Sequence, residues 1–145
     1  MKLLSSVIAF AALAAPAFAA GHAATGDAAA GEDAFNRQCA SCHIAADADG
    51  NVLAGRNGRS GPNLYGIAGG TPGSGDFRYG ASLVAYGETG AVWTEENFVA
   101  YVMDPTGYLR EALDDSRARA KMAYRVRSEE DAVNLYAYLA QFGDM

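Results

Sequence analysis

Apolar positions recur at helical spacing in several stretches of the chain and dissolve into polar, glycine-rich sequence between them. Asp27 is a suitable N-cap for a helix over about Ala28 to Cys39, with Gly31, Ala34, Phe35 and Gln38 along one face. Trp93-Thr94-Glu95-Glu96 marks a second start. Thr94 serves as the cap, the two acids meet the positive end of the helix dipole, and Trp93 can staple onto Phe98. That helix ends near Met103, because Pro105 cannot continue it. A short helix restarts over Pro105 to Leu113 with Asp104 as its cap. Asp114 to Arg127 has no period and reads as a loop. Ser128-Glu129-Glu130-Asp131 resembles a capping box. Behind it, Val133, Tyr136, Ala137 and Ala140 share one helical stripe, and Leu135, Tyr138, Leu139 and Phe142 another. Apolar residues over so wide an arc predict a well-packed final helix, closed by Gly143. No strand and no internal repeat is expected. The pattern predicts an all-α fold of about four to five helices joined by long loops, among them Asp47 to Gly61 and Gly69 to Gly80.

Composition sharpens this picture. The 145 residues include 17 glycines, many of them in the irregular stretches. Loops of that kind need something central to pack against, and a large apolar cofactor would supply it. The start of the chain has a different character. Lys2 precedes an apolar run from Leu3 to Ala15, Pro16 interrupts it, and Ala17-Phe18-Ala19 fits a small-x-small cleavage site. This is the layout of a secretory signal peptide over residues 1–19, which leaves one domain over 20–145. A retained membrane anchor is the alternative reading, disfavoured because the run is short and contains Pro16. The formal net charge is −6, and removal of Lys2 with the leader takes it to −7. So acidic a chain excludes nucleic acid as a partner and favours a monomer. The two cysteines, Cys39 and Cys42, are too close in sequence to staple distant segments, so a disulfide scaffold is also excluded.

Cys39-Ala40-Ser41-Cys42-His43 provides the chemistry those cysteines need. In a Cys-x-x-Cys-His pentad both thiols can add to the vinyl groups of one haem, and the histidine that follows can bind the iron through one imidazole nitrogen. A thioredoxin-like site would want a βαβ pattern, and none is visible. A zinc site would need four ligands, and the only other histidine is His22 in the leader region. The porphyrin and His43 account for five iron positions. Met103, Met122, Met145 and His22 are the candidates for the sixth. Met103 at a helix end reads as a core methionine. Met122, in the loop between Lys121 and Ala123, is preferred because a loop can deliver a thioether to the face opposite His43. A His/Met pair leaves substrate no open position, which suits a carrier and not an enzyme. A vacant or labile sixth position would instead suit a haem enzyme or gas sensor.

The ordered set of motifs is more specific than the pentad. Gly31 and Phe35 precede it. Gly61-Pro62-Asn63-Leu64-Tyr65-Gly66, Phe77-Arg78-Tyr79, Trp93, Tyr101, Lys121-Met122 and Leu135-Tyr136-Ala137-Tyr138-Leu139 follow it. In this the chain resembles class I c-type cytochromes, of the cytochrome c2 type of purple bacteria, from about Asp27 to Phe142. The resemblance implies the cytochrome c fold wrapped around one haem c attached through Cys39 and Cys42, with His43 and Met122 as iron ligands. It implies that the Pro62 carbonyl holds the His43 ring, that Tyr101 bonds the Met122 sulfur, and that Tyr79 and Trp93 bond a haem propionate. It also implies a close crossing of the first and last helices at Gly31, with Phe35, Leu135 and Tyr138 around it. The chain departs from the family at Gly70, where an arginine is usual, and at Tyr124, where phenylalanine is common. Asp47-Ala48-Asp49-Gly50-Asn51 lacks a full calcium-ligand series and reads as a turn.

Charge is unevenly placed. Arg117, Arg119, Lys121, Arg125 and Arg127 fall within eleven residues that hold no acid. A solvated loop would explain them; so would a docking ring that steers an acidic partner to the haem edge. The resemblance implies a soluble periplasmic one-electron carrier. Its donor would be a membrane quinol–cytochrome c oxidoreductase, and its acceptor a photosynthetic reaction centre or a terminal oxidase.

Overall fold

A computed structural model describes residues 23–143. The leader expected over 1–19, together with His22 and Met145, lies outside the described residues. The elements in chain order are α1 (Ala28–Gln38), β1 (Ala45–Ala46), β2 (Val52–Ala54), α2 (Ala81–Glu88), α3 (Glu95–Met103), α4 (Pro105–Ala112) and α5 (Glu129–Leu139). Loops occupy most of the rest, so the architecture is the mostly helical one expected.

The helix starts follow their caps. Asp27 accepts hydrogen bonds from the Ala29 and Ala30 amides at 2.8 and 3.1 Å. Thr94 accepts from the Asn97 amide while the Asn97 side chain accepts from the Thr94 amide, a reciprocal box built with asparagine at the third position. Trp93 and Phe98 meet edge to face at 6.3 Å across the same start. Asp104 caps α4, with Pro105 at its first turn. At α5, Ser128 accepts from the Asp131 amide, but the Asp131 carboxylate turns away to Gln38 and Arg37. The capping box expected there is therefore only half made. The helix also closes earlier than expected: Ala140 is its C-cap, and Gly143 lies three residues further on.

Three elements were not expected. Helix α2 has Gly80 at its N-cap with no side-chain cap bond, so no sequence signal marks its start. Strands β1 and β2 form a short antiparallel pair with Ala45 opposite Ala54. They flank the Asp47 turn, where the carboxylate accepts from the Asp49 and Asn51 amides and from the Asn51 side chain. These bonds hold the Asp47 carboxyl below its ordinary range.

The core gathers on α5. Leu135, Tyr136 and Leu139 are buried, as are Ala34 and Phe35 of α1 and Phe98, Tyr101 and Val102 of α3. A β-carbon at Gly31 would collide with the Asn134 carbonyl and with Cβ of Tyr138. Only hydrogen at that position lets the two backbones approach so closely. Phe35 and Tyr138 pack beside it at 5.6 Å, and the Asn134 side chain accepts from the Asp27 amide at 2.8 Å. A second cluster of Tyr86, Trp93, Tyr101 and Tyr108 joins α2, α3 and α4, and the Tyr86 and Tyr108 hydroxyls lie 2.6 Å apart. Met103 packs against the core. No described helix is long and apolar enough to cross a membrane. Gly31→Ala should cost about 1–3 kcal/mol by overpacking the α1–α5 crossing, read as a lower guanidinium midpoint of the haem-loaded protein.

Candidate haem-binding site

The chain leaves α1 at Gln38 and turns at once through the pentad. The Cys42 and His43 amides both donate to the Cys39 carbonyl, at 3.0 and 2.9 Å. This tight turn points both sulfurs and the imidazole at one cavity of about 630 Å³, a size suited to a sizeable organic group. Cys39, Cys42 and His43 line it, and so do Pro62, Tyr79, Trp93, Tyr101 and Met122. All eight residues singled out from the sequence are thus brought to one space. Met103 does not line it.

His43 is fixed by its surroundings. Its Nδ1 donates to the Pro62 carbonyl at 2.9 Å, which leaves Nε2 free to bind a metal. Burial lowers the pKa of the ring, and the Pro62 bond opposes that in part. A neutral imidazole is the form a metal needs. The ring sits flat against Gly61, where a β-carbon would collide with it. Its supporting loop is stapled to β1 by Asn63. That side chain accepts from the Ala46 amide at 2.9 Å and the Tyr65 amide at 3.0 Å, and donates to the Ala46 carbonyl at 2.7 Å. No role for Asn63 was read from the sequence, because its partner segment is a strand of two residues.

The two cysteines differ. Burial pushes the Cys39 thiol up to about 12. Cys42 is exposed at the rim, and hydrogen bonds from Ser60 and Ser41 lower it. The cavity is also lined by the Met122 loop. Lys121 anchors it by donating to the Arg78 carbonyl at 2.6 Å, and the Val126 amide donates to the Val102 carbonyl at 2.9 Å. Tyr101 is buried, with its hydroxyl pushed up to about 12; no hydrogen bond joins it to Met122. Burial also raises Tyr79. A β-carbon at Gly70 would lie 2.6 Å from the Gly66 carbonyl oxygen, so an arginine could not stand there without a shift of the 66–70 turn. Lys121 is the only cationic side chain lining the cavity among the described residues.

The residues fit a covalent haem. Two sulfurs and an oriented imidazole stand on one wall, a thioether stands on another, and the lining between them is largely apolar. Apart from Lys121, the basic residues of the Met122 loop do not line this space, and all five are exposed. Arg125 pairs with Asp104 at 2.8 Å and Arg117 with Asp115 at 3.5 Å, so part of the positive charge read from the loop is neutralised by acids from outside it or at its edge.

The family model described as Cytochrome c matches residues 28–142. A cytochrome c2 of Rhodovulum adriaticum is 56% identical over 113 residues, covering 77% of this chain and 89% of the relative. A cytochrome c2 of Cereibacter sphaeroides is 46% identical over 143 residues, covering 97% of this chain and 94% of the relative. The crystal structure of a cytochrome c2 from Rhodobacter sphaeroides superposes with a TM-score of 0.78 at 46% identity, covering 81% of this chain and 96% of that one. Asn63→Ala removes three hydrogen bonds beneath the imidazole and should lower stability by about 1–3 kcal/mol, measured by guanidinium unfolding of the haem-loaded protein.

Proposed function

The chain belongs to the cytochrome c family, carries its covalent c-type haem, and is an electron carrier rather than an enzyme; on that premise we propose that it is a soluble periplasmic shuttle with His43 and Met122 as axial ligands. The observation that carries this reading is the placement of Cys39, Cys42 and His43 on one wall of a cavity that Met122 closes from another. The haem, when bound, supplies a one-electron Fe(II)/Fe(III) couple.

The protein's own groups tune and protect that couple. The two thioethers formed from Cys39 and Cys42 prevent loss of the group. The Pro62 carbonyl, accepting from Nδ1, keeps the His43 ring in one tautomer and one orientation. The Met122 thioether is neutral and soft, so it favours the reduced state and raises the potential. With both axial positions filled by side chains, no substrate can bind and little rearranges on electron transfer. The apolar lining keeps water out, which also disfavours the more charged oxidised state. Tyr79 and Trp93 are the donors proposed for a propionate. Gly70 provides no guanidinium for that carboxylate. The uncompensated negative charge stabilises Fe(III), so the potential should lie below that of relatives with arginine there.

The leader over 1–19 supports export to the periplasm, and residues 20–145 then form the functional domain. The resemblance to cytochromes c2 supports the same setting, with a quinol–cytochrome c oxidoreductase as the proposed donor and a photosynthetic reaction centre or terminal oxidase as the proposed acceptor. Docking would use Arg117, Arg119, Lys121, Arg125 and Arg127 around the Met122 side, on a chain that is acidic overall. Such opposed charge steers encounter without tight binding.

Two measurements test these assignments. The oxidised protein should show the weak far-red band of methionine on ferric iron, and Met122→Ala should abolish it; loss of the band on Met103→Ala instead would reassign the ligand. The electron-transfer rate to an acidic acceptor complex should fall steeply between low and physiological ionic strength. A rate indifferent to salt would remove the docking ring.

A further inference from the structure

The Met122 loop is held unevenly. Among the described residues, no backbone group from Met122 to Arg125 makes a main-chain hydrogen bond; the next such bond is at Val126. Side chains do the holding: Lys121 on the Arg78 carbonyl at one end, Arg125 on Asp104 at the other. Between them, among the described residues, a single bond ties the stretch to the end of α1. The Tyr124 hydroxyl donates to Oε1 of Gln38 at 3.1 Å, across 86 positions of sequence.

The far side of that bond is rigidly built. Gln38 is the last residue of α1, next to Cys39, and its Nε2 donates to the Asp131 carboxylate at 2.6 Å. A carboxylate only accepts, so it selects the amide edge of Gln38 and leaves Oε1 facing Tyr124 as an acceptor. Asp131 lies in the first turn of α5, where the helix dipole favours a negative charge, and Arg37 stands 3.8 Å away. The relay from Asp131 through Gln38 to Tyr124 therefore links the tightly packed α1–α5 pair to the least hydrogen-bonded part of the cavity wall. Gln38, Met122, Ala123 and Tyr124 all border the cavity. Tyr124 is 48% exposed, so its hydroxyl is not held by burial and its ring forms part of the mouth.

We propose that Tyr124 is a positioning residue: its hydroxyl latches the Met122 loop to Gln38 and thereby limits how often the Met122 thioether leaves the iron. This rests on the His43/Met122 reading above. For Met122 to swing away, the stretch from 122 to 125 must move outward, and its bond to the end of α1 must break. Phenylalanine at 124 keeps the ring and loses the latch.

The test uses the oxidised haem-loaded protein and imidazole as the incoming ligand. At saturating imidazole, the rate of loss of the far-red band equals the rate of Met122 departure. Tyr124→Phe should raise that rate about fivefold, the effect of one neutral hydrogen bond. Gln38→Leu should raise it similarly, and the double variant should be no faster than the singles, because both remove the same bond. Tyr124→Phe should lower the folding equilibrium constant of the haem-loaded protein by no more than the same fivefold factor; a larger loss would mark general destabilisation and overturn the latch. An unchanged departure rate in Tyr124→Phe, or single effects that multiply in the double variant, would overturn the latch while leaving the ligand assignment intact. A parent protein that lacks the far-red band would overturn both.

Discussion

Where α1 crosses α5, the backbone of Gly31 lies against the Asn134 carbonyl, closer than any side chain would permit. Much of the site depends on this approach. It locks the first and last helices into one unit, reinforced by the Phe35–Tyr138 ring contact and by the hydrogen bond from the Asp27 amide to Asn134. The pentad begins one residue beyond α1, so locking α1 also sets where Cys39, Cys42 and His43 point. The same end of α1 reaches Asp131 through Gln38. One helix pair thus carries the attachment wall and provides the anchor to which the Met122 loop is tied.

Around that pair the cavity is walled by segments of very different stiffness. The loop under His43 is pinned by three Asn63 bonds and by the imidazole's own bond to Pro62. The loop bearing Met122 is held by side chains, with a stretch that makes no main-chain hydrogen bond among the described residues. If His43 and Met122 are the ligands proposed above, a firmly fixed one and a tethered one would be a sensible division for an electron carrier. The imidazole would orient the bound group, and the thioether would need only to stay in contact through both oxidation states. Loops poor in backbone hydrogen bonds gain order from what they pack against. The apolar cavity they enclose is the place where a bound porphyrin would provide it.

Electrostatics follow the same geometry. The chain is acidic overall, yet the Met122 side presents exposed arginines and a lysine. Tertiary contacts reduce the apparent excess, since Asp104 reaches Arg125 and Asp115 reaches Arg117. Surface pairs of this kind contribute little stability, but they alter the field a partner meets. At the cavity wall, the turn at Gly66 to Gly70 leaves no room for a β-carbon at the position where the family resemblance implies an arginine. The absence of arginine there is built into the backbone path as well as into the residue type.

What the chain determined by itself was local and chemical. Cap residues and proline placed the starts of α1, α3, α4 and α5, because a cap acts over three or four residues. The pentad announced its chemistry for the same reason: two sulfurs and an imidazole share one turn. Glycine at 31 and the ordered motifs pointed to a family, and through it to a fold. Helix α2 went unread because its N-cap is a glycine with no side-chain bond, and β1 with β2 because strands of two and three residues carry no period. Only the tertiary structure decided which distant groups share a bond: Asn63 with Ala46, Asp131 with Gln38 instead of its own helix cap, and Tyr124 with Gln38. A hydrogen bond depends on distances of about 3 Å, and positions far apart in sequence acquire such distances only when the helices have crossed.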